Sequence, residues 1–269
     1  MKDLHIHTIY SDGEYNEQEI LEKIKEANIK EFSICDHDTI EGSKKVCKLL
    51  KKSSSNLIFH SGVELSCRIN TYKKGINVHL LVRDFDFNDT HIQQLIEEGT
   101  HLRNKKIHTM CEYIKEQYNI IIPKEDIEET LKYTNSFGKP HLYKILTKYI
   151  DVERESYYKT MDKLDCSKLK LDAVKVLQVM KNTKGNVTLA HPIEIMKEYN
   201  MSYADIEDLV KYLVNFDLYG LETMHSKHSQ QDYLKFSKIA KKYNLIETQG
   251  SDYHGPTVKP NVKLGICKK

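Results

Sequence analysis

Residues 2–13 run Lys2-Asp3-Leu4-His5-Ile6-His7-Thr8-Ile9-Tyr10-Ser11-Asp12-Gly13. Lys2 to Thr8 reads as a strand. Side chains two apart on a strand share a face, so His5 and His7 point the same way. Two imidazoles on one face at a strand end form a ligand pair for a divalent metal. Asp12 follows in a Ser-Asp-Gly turn and brings a carboxylate back toward them. Alone, such a pair is more often a polar edge or core feature than a ligand pair. The rest of the chain has to decide.

Outward from this stretch, short β-rich runs alternate with helical ones. Glu17 to Ala27 is expected as a helix, with Ile20, Leu21, Ile24 and Ala27 on one face and Asn16 as its N-cap. Glu31 to Cys35 is expected as a strand and Glu41 to Lys52 as a helix. Leu57 to Leu65 and Ile76 to Val82 are two more expected strands. This alternation implies βα units and a mainly parallel sheet. From Phe87 the pattern changes. Thr90 to Tyr118 reads as one long helix carrying Ile92, Leu95, Ile96, Ile107, Met110 and Ile114. Shorter helical stretches follow at Lys124 to Lys132, Pro140 to Tyr149, Ser156 to Leu164 and Leu171 to Asn182. No run of strands is expected between Asn88 and Gly185, so residues 87–185 read as a helical insertion. Alternation then returns, with strands at Val187 to Ala190, Leu218 to Thr223 and Leu245 to Gln249, and helices at Ala204 to Phe216 and Gln230 to Tyr243.

Polar groups gather where these strands end. Asp36-His37-Asp38 follows the apolar run Phe32 to Ile34, at the carboxyl end where barrel folds carry function. An N-cap role would explain Asp38 or Thr39, but not a His between two carboxylates. Glu64 lies between Val63 and Leu65, and a half-buried carboxylate needs a partner, either a metal or a Lys. His79 sits in an apolar strand, where a core role is the commoner one. His191 follows Leu189-Ala190, and Asp252 and His254 stand two apart after the last strand. Nine candidate ligands thus lie at or near six strand ends: His5, His7, Asp12, His37, Glu64, His79, His191, Asp252 and His254. A barrel would bring those ends to one mouth. Nine are too many for a single zinc and suit two or three ions with Glu64 bridging. His and carboxylate without Cys favour Mn, Fe or Zn over a structural zinc site.

Composition narrows the partners. The chain has 41 basic and 39 acidic residues among 269, a net charge of +2, and its only arginines are Arg68, Arg83, Arg103 and Arg154. That balance gives no broad field for duplex nucleic acid. A small anion in a local positive pocket fits better. No apolar run approaches the ~20 residues that span a bilayer. His5 and His7 would fall inside any removable leader, so none is expected. Cys35, Cys47, Cys67, Cys111, Cys166 and Cys267 form no CxxC pair, and reduced, mostly buried thiols in a cytoplasmic protein are expected. Oligomeric state leaves no sign in the sequence.

The pieces LHIHTIYSDG, ICDHDTIEG, GVELS, NVHLL, LAHP and GSDYHGP, in that order, resemble the polymerase and histidinol phosphatase (PHP) family of metallohydrolases. The resemblance covers residues 1–86 and 186–269 and implies a distorted seven-stranded (β/α)7 barrel interrupted by the mainly helical 87–185, which would cap the site. It implies three metals. One would take His5, His7, Glu64 and Asp252; a second Glu64, His79 and His191; a third Asp12, His37 and His254. Asp36 and Asp38 would then support the ligands from behind. The subgroup it most resembles acts on nucleoside 3′,5′-bisphosphates and short oligonucleotide ends. Ser136-Phe137-Gly138-Lys139-Pro140-His141 resembles a subgroup motif that usually has Arg where Lys139 stands, and Lys offers a point charge in place of a bidentate fork. Arg103, Lys139 and His141 are the expected substrate contacts, though a solvated face accounts for Arg103 and Lys139 nearly as well. Glu222, His225 and His228 also match subgroup positions.

The expected function is metal-dependent hydrolysis of a small phosphomonoester or nucleotide phosphate by water deprotonated between two ions, with His225 or His228 protonating the leaving oxygen or positioning the substrate. The substrate class is a nucleoside 3′,5′-bisphosphate, a mononucleotide or a short oligonucleotide end. The competing readings are a histidinol-phosphate-type phosphatase and a non-catalytic, metal-stabilised regulatory module. Decay of the ligand set would favour the module, and all nine positions are intact.

Overall fold

The first helix shows how local sequence sets the elements. Asn16 accepts from the N–H of Gln18 and Glu19, and Glu19 reaches back to the Asn16 N–H, a reciprocal cap. Ile20, Leu21 and Ile24 then recur on one buried face. The computed structural model describes residues 1–53, 55–73, 75–134 and 136–265; Cys267 lies outside them. In chain order the elements are β1 (Lys2–Ile6), α1 (Glu17–Glu26), β2 (Glu31–Ile34), α2 (Glu41–Lys51), β3 (Ile58–His60), β4 (Gly62–Ile69), β5 (Ile76–Arg83), α3 (Thr90–Tyr118), α4 (Lys124–Leu131), α5 (Lys139–Leu146) and α6 (Arg154–Met161). They continue with β6 (Leu171–Asp172), α7 (Ala173–Met180), β7 (Asn186–Leu189), α8 (Pro192–Tyr199), α9 (Tyr203–Val214), β8 (Gly220–His225), α10 (Gln230–Lys242) and β9 (Ile246–Gly250).

The strands form a three-stranded sheet, β1-β2-β3, and a six-stranded sheet, β6-β4-β5-β7-β8-β9. Most neighbours are parallel, as the alternation implied. The exception is β5, antiparallel to both β4 and β7. A direct hairpin joins β4 to β5, with no helix between them to return the chain. The segment expected as one strand at Leu57 to Leu65 is two. β3 pairs with β2, and the chain then passes at Gly62 into the other sheet. A Cβ at Gly62 would stand 2.1 Å from Ser33 Oγ and 2.5 Å from the Ile34 carbonyl, so only glycine lets the chain cross there. Leu171 and Asp172, expected to open a helix, pair with Cys67 and Arg68 as β6 instead; Asp172 then caps α7. The helix α8 is an addition to the sequence-based expectation.

Backbone bonds tie the two sheets together where the candidate ligands lie. The His7 N–H donates to the Tyr253 carbonyl (2.9 Å) and the Asp252 N–H to that of His5 (2.8 Å). The Glu64 N–H donates to the Asp36 carbonyl (3.1 Å) and the Asp38 N–H to that of Glu64 (2.9 Å).

Three apolar cores support this frame. The outward faces of β4, β5, β7 and β8 pack against α7, α9 and α10, with Ile92 and Leu95 of α3. Ile6, Phe32 and Ile34 pack against Ile20, Ile24 and Val46. Ile107, Met110, Phe137, Leu142, Tyr157 and Met161 form a core of their own. Each fully buried side chain of this kind contributes about 1.5–3 kcal/mol. The segment 87–185 therefore divides. Its middle is a separate helical unit, while both its ends, Ile92 and Leu95 at one and Leu171 to Met180 at the other, belong to the main core. Among the described residues Cys35 and Cys67 are buried and Cys47, Cys111 and Cys166 half-buried, so burial of the thiols is less general than expected; all five are free. No helix of the described residues is long and apolar enough to cross a membrane.

His60 bridges the seam between the sheets, its Nδ1 2.6 Å from Asp84 and its Nε2 3.1 Å from Glu31. The bond to Asp84, with Glu31 adding to it against partial burial, raises its pKa above the ordinary histidine value. A raised folded-state pKa gives stability that is complete below the unfolded value of ~6.5 and lost as pH rises through the folded one. The stability gap between wild type and His60→Gln, from urea midpoints, is expected to be wide near pH 6 and to narrow by pH 9. A gap that widens with pH would contradict this placement.

Candidate metal centre

Each candidate ligand is set by a strand end. His5 and His7 alternate with Leu4 and Ile6 across β1, and their Nε2 atoms face each other at 3.1 Å. Glu64 projects from β4 between them: its Oε2 lies 3.1 Å from His5 Nε2, 3.0 Å from His7 Nε2 and 3.3 Å from His37 Nδ1. Its Oε1 lies 2.8 Å from His79 Nδ1 and 2.9 Å from His191 Nε2. Asp252 Oδ1 faces His7 Nε2 at 3.4 Å and His5 Nε2 at 3.7 Å. Asp12 Oδ1 is 3.2 Å from His254 Nε2. All nine candidates therefore meet in one place.

Three overlapping groups in it have ligand atoms within 4.8 Å of one another: His5, His7, Glu64 and Asp252; His7, Asp12, His37 and His254; and His37, Glu64 and His79. The first matches the set implied by resemblance. The second adds His7 to the implied third set. In the last, His37 stands where His191 was implied, although His191 shares a Glu64 oxygen with His79.

Neighbouring groups aim the ligands. Glu222 accepts from His5 Nδ1 (3.0 Å) and from the His191 N–H (2.7 Å), leaving His5 Nε2 to face the cluster. Asp36 accepts from the Thr8 N–H, the Thr8 hydroxyl and the Ser11 hydroxyl, each at 2.7 Å, and so holds the turn that carries Asp12. Asp38, His191 and Asp252 take positive φ of 51°, 25° and 58°, a conformation that costs side-chain-bearing residues energy and clusters at functional sites. Gly250 closes the approach of β9 to β1, since a Cβ there would meet His5 Cβ at 2.2 Å.

The donor set fits divalent ions. Glu64 Oε2, Asp12 Oδ1, His37 Nδ1 and His191 Nδ1 are buried without a hydrogen-bond partner. Two imidazole nitrogens facing one another can share only one proton, and here a carboxylate oxygen meets both. Burial opposes ionisation of Glu64, yet His37, His5 and His79 hold it well below the usual carboxylate range. Asp12 and Asp252 are likewise held low against burial, Asp12 chiefly by His254 and Asp252 chiefly by Lys259. The imidazoles cannot all supply the matching charge: burial pushes His37, His79 and His254 below the ordinary histidine value. The carboxylates raise His5, His7 and His191 above it, so the cluster is a dense mixture of carboxylates and imidazoles of the kind that holds divalent ions.

The remaining candidates lie around this centre. His225 Nε2 is 3.4 Å from Asp252 Oδ2. His228 lies behind it, its Nδ1 on the Thr223 carbonyl (2.9 Å) and its ring on Phe236. Burial lowers His228 to about 4. Arg103 is engaged with Asp38, Ser66 Oγ (3.0 Å) and the Phe137 carbonyl (3.3 Å). Lys139 Nζ pairs with Asp162 at 2.6 Å, and His141 Nδ1 accepts the Gly138 N–H at 3.1 Å, capping α5. Sequence reasoning missed Lys259, 2.5 Å from Asp252 Oδ2, and Glu194, 3.9 Å from His191. Neither belongs to a recognisable motif; only the folded chain brings them in.

A family model described as the PHP domain matches residues 3–226. The chain belongs to the PHP domain family, and it is an enzyme, a hydrolase of phosphoric esters. Its relatives include a phosphoribosyl 1,2-cyclic phosphate 1,2-diphosphodiesterase of Eggerthella lenta, 25% identical over 95% of this chain and 94% of the relative. Another is the 5′-3′ exoribonuclease Rnm of Escherichia coli, 22% identical over 98% of this chain and 87% of that one. Among solved structures, a Bifidobacterium adolescentis protein assigned as a metal-dependent phosphoesterase aligns with TM-score 0.78 and 22% identity over 98% and 90% of the two chains. An amidohydrolase from Chromobacterium violaceum, with bound sulfate and no metal, aligns with TM-score 0.81 and 18% identity over 100% and 91%. These two likenesses establish the mixed α/β fold.

Replacing Glu64 removes the one carboxylate that touches five imidazoles. Glu64→Gln is expected to abolish most tight metal binding, and Glu222→Gln to weaken it ~10–100-fold by freeing His5. Metal content after dialysis against dilute Mn²⁺ reads both. Retention of full content in Glu64→Gln would contradict the arrangement.

Proposed function

We propose that the chain hydrolyses a phosphate ester on a small nucleotide-type substrate: a nucleoside 3′,5′-bisphosphate, a mononucleotide or a short oligonucleotide end. In this reading two or three divalent ions, Mn, Fe or Zn, sit among the nine ligands at the mouth of a distorted seven-stranded barrel, under the helical insertion. The observation that carries it is the buried Glu64 surrounded by imidazole nitrogens, beside buried polar atoms that have no hydrogen-bond partner.

Bound ions would lower the pKa of a water toward neutrality and neutralise charge on the phosphate oxygens. The chain's own residues do the rest. Glu222 and Asp36 hold the ligands in register, so little reorganisation is needed as charge develops. The insertion is fastened around the mouth at three points: Thr134 Oγ1 donates to the Ser11 carbonyl (2.7 Å), Arg103 reaches Asp38, and Arg154 donates to the carbonyls of Thr257 and Val258 (2.9 Å each). A roof so fixed excludes bulk water and limits substrate size. His225, against Asp252 and with its Nε2 otherwise unpartnered, is placed to hold a proton for the leaving oxygen.

The Eggerthella lenta relative brings in a second substrate type, a sugar cyclic phosphate diester, and the same centre suits it. A screen of metal-loaded protein should span bisphosphates, mononucleotides, short oligonucleotides, a ribose cyclic phosphate and histidinol phosphate. Metal-dependent release is expected on a nucleotide-type substrate. A His5→Ala, Asp252→Ala variant should lose several kcal/mol of transition-state stabilisation, on the order of 10³-fold in kcat/KM. Turnover of histidinol phosphate alone would replace the nucleotide reading, and metal binding without any turnover would favour a regulatory module.

A further inference from the structure

The cations that the motifs singled out are engaged with carboxylates outside the candidate ligand set, Arg103 with Asp38 and Lys139 with Asp162. Lys227 pairs in the same way with Glu194. Lys259 differs from all three. Its Nζ lies 2.5 Å from Oδ2 of Asp252, a candidate ligand. The other oxygen of that carboxylate, Oδ1, faces His5 Nε2 and His7 Nε2. The ammonium therefore stands one carboxylate away from the place where His5, His7, Glu64 and Asp252 could hold an ion.

The chain presents Lys259 on a fixed turn. After His254 it bends at Gly255, at φ 99°, where a Cβ would stand 2.6 Å from Glu14 Cδ. Glu14 holds both sides of the bend: its N–H donates to the His254 carbonyl (2.9 Å), and its Oε1 accepts from the Val258 N–H (2.7 Å). The Lys259 N–H donates back to the Gly255 carbonyl (2.9 Å). Arg154 of α6 donates to the carbonyls of Thr257 and Val258 (2.9 Å each). The Lys259 side chain is only 25% exposed, whereas lysines are ordinarily left in water.

Asp252 cannot match two cations at once. If Oδ1 serves a metal ion, little of the carboxylate's charge is left for Lys259, and the turn keeps the ammonium where it is. Cation then faces cation at a site largely withdrawn from water. An anion relieves that repulsion, and charge-assisted bonds to phosphate oxygens are short and strong. His225 converges on the same edge, its Nε2 3.4 Å from Asp252 Oδ2.

We propose that Lys259 is a catalytic residue of the metal centre: its ammonium contacts an oxygen of the phosphate undergoing hydrolysis and stabilises the negative charge that develops there. The proposal rests on the phosphoesterase reading above and adds to it a contact from the chain itself on the reacting phosphate. Lysine suits this role, because a compact ammonium on a flexible stem can swing from Asp252 to the phosphate while the turn stays still.

The test uses the full chain and separates this role from mere support of Asp252. In the first arm, chelator competition measures Mn²⁺ binding without substrate. Lys259→Met should bind Mn²⁺ at least as tightly as wild type, since a cation that repels the ion is gone. In the second, calorimetry measures binding of inorganic phosphate to the Mn²⁺-loaded proteins. Lys259→Met should weaken it ~10-fold or more, Lys259→Arg should keep most of it, and Lys211→Met on α9 should match wild type. In the third, kcat/KM of Lys259→Met on the best substrate should fall about 10²-fold, mostly in kcat, with partial recovery in Lys259→Arg. Circular dichroism confirms that each variant is folded. Mn²⁺ binding weakened tenfold or more in Lys259→Met would make the residue a support for Asp252 and overturn the proposal. So would phosphate binding unchanged in that variant or absent from loaded wild type. If phosphate binds but no substrate is hydrolysed, the phosphoesterase reading fails, and the first two arms still decide whether Lys259 faces phosphate.

Discussion

Glu64 is buried, ionised and encircled by imidazole nitrogens, and most of the architecture can be understood as what it takes to keep it there. An uncompensated carboxylate in such a place would be costly or would take up a proton. Here five ring nitrogens lie within 3.3 Å of its two oxygens, and two more carboxylates, Asp12 and Asp252, complete the cluster. Such a concentration of donors, several left without hydrogen-bond partners, suits divalent cations. The backbone serves the same end: the sheets meet through bonds made by His5, His7, Glu64 and Asp252 themselves. The centre and the seam between the sheets are thus one structure.

From this constraint follows the division of labour in the chain. Outward-facing strand residues and the surrounding helices supply apolar burial, while inward-facing residues at strand ends supply the ligands. Asp36 and Glu222 are not among the nine candidate ligands, yet Glu222 bonds two that are, His5 and His191, and Asp36 holds the turn that leads to Asp12. The helical unit contributes no ligand. It is tied to the rest of the chain by Thr134 on the Ser11 carbonyl, Arg103 on Asp38 and Arg154 on the carbonyls of Thr257 and Val258.

Much of this was legible in the sequence because period-two alternation and polar residues at strand ends leave a direct trace. His5 and His7 declared a shared face; the Asn16 N-cap and the span of α3 could be read residue by residue. What escaped depended on contacts between distant segments. Nothing local announces that β5 runs against its neighbours, that Gly62 divides an apparent strand, or that Leu171 joins a sheet beside Cys67. The same holds at the site. The packing of His228 on Phe236 and the engagement of Arg103 with Asp38 left no trace in the sequence. Lys259 carries no motif, and only folding brings it to Asp252.

The most direct measurement is anomalous diffraction from crystals grown with Mn²⁺, recorded on either side of the metal edge. The account requires two or three peaks within the cluster, with Glu64 oxygens and imidazole nitrogens at ligand distances of roughly 2.0–2.2 Å. Absence of any peak beside Glu64, in crystals that bind Mn²⁺ elsewhere or not at all, would contradict it.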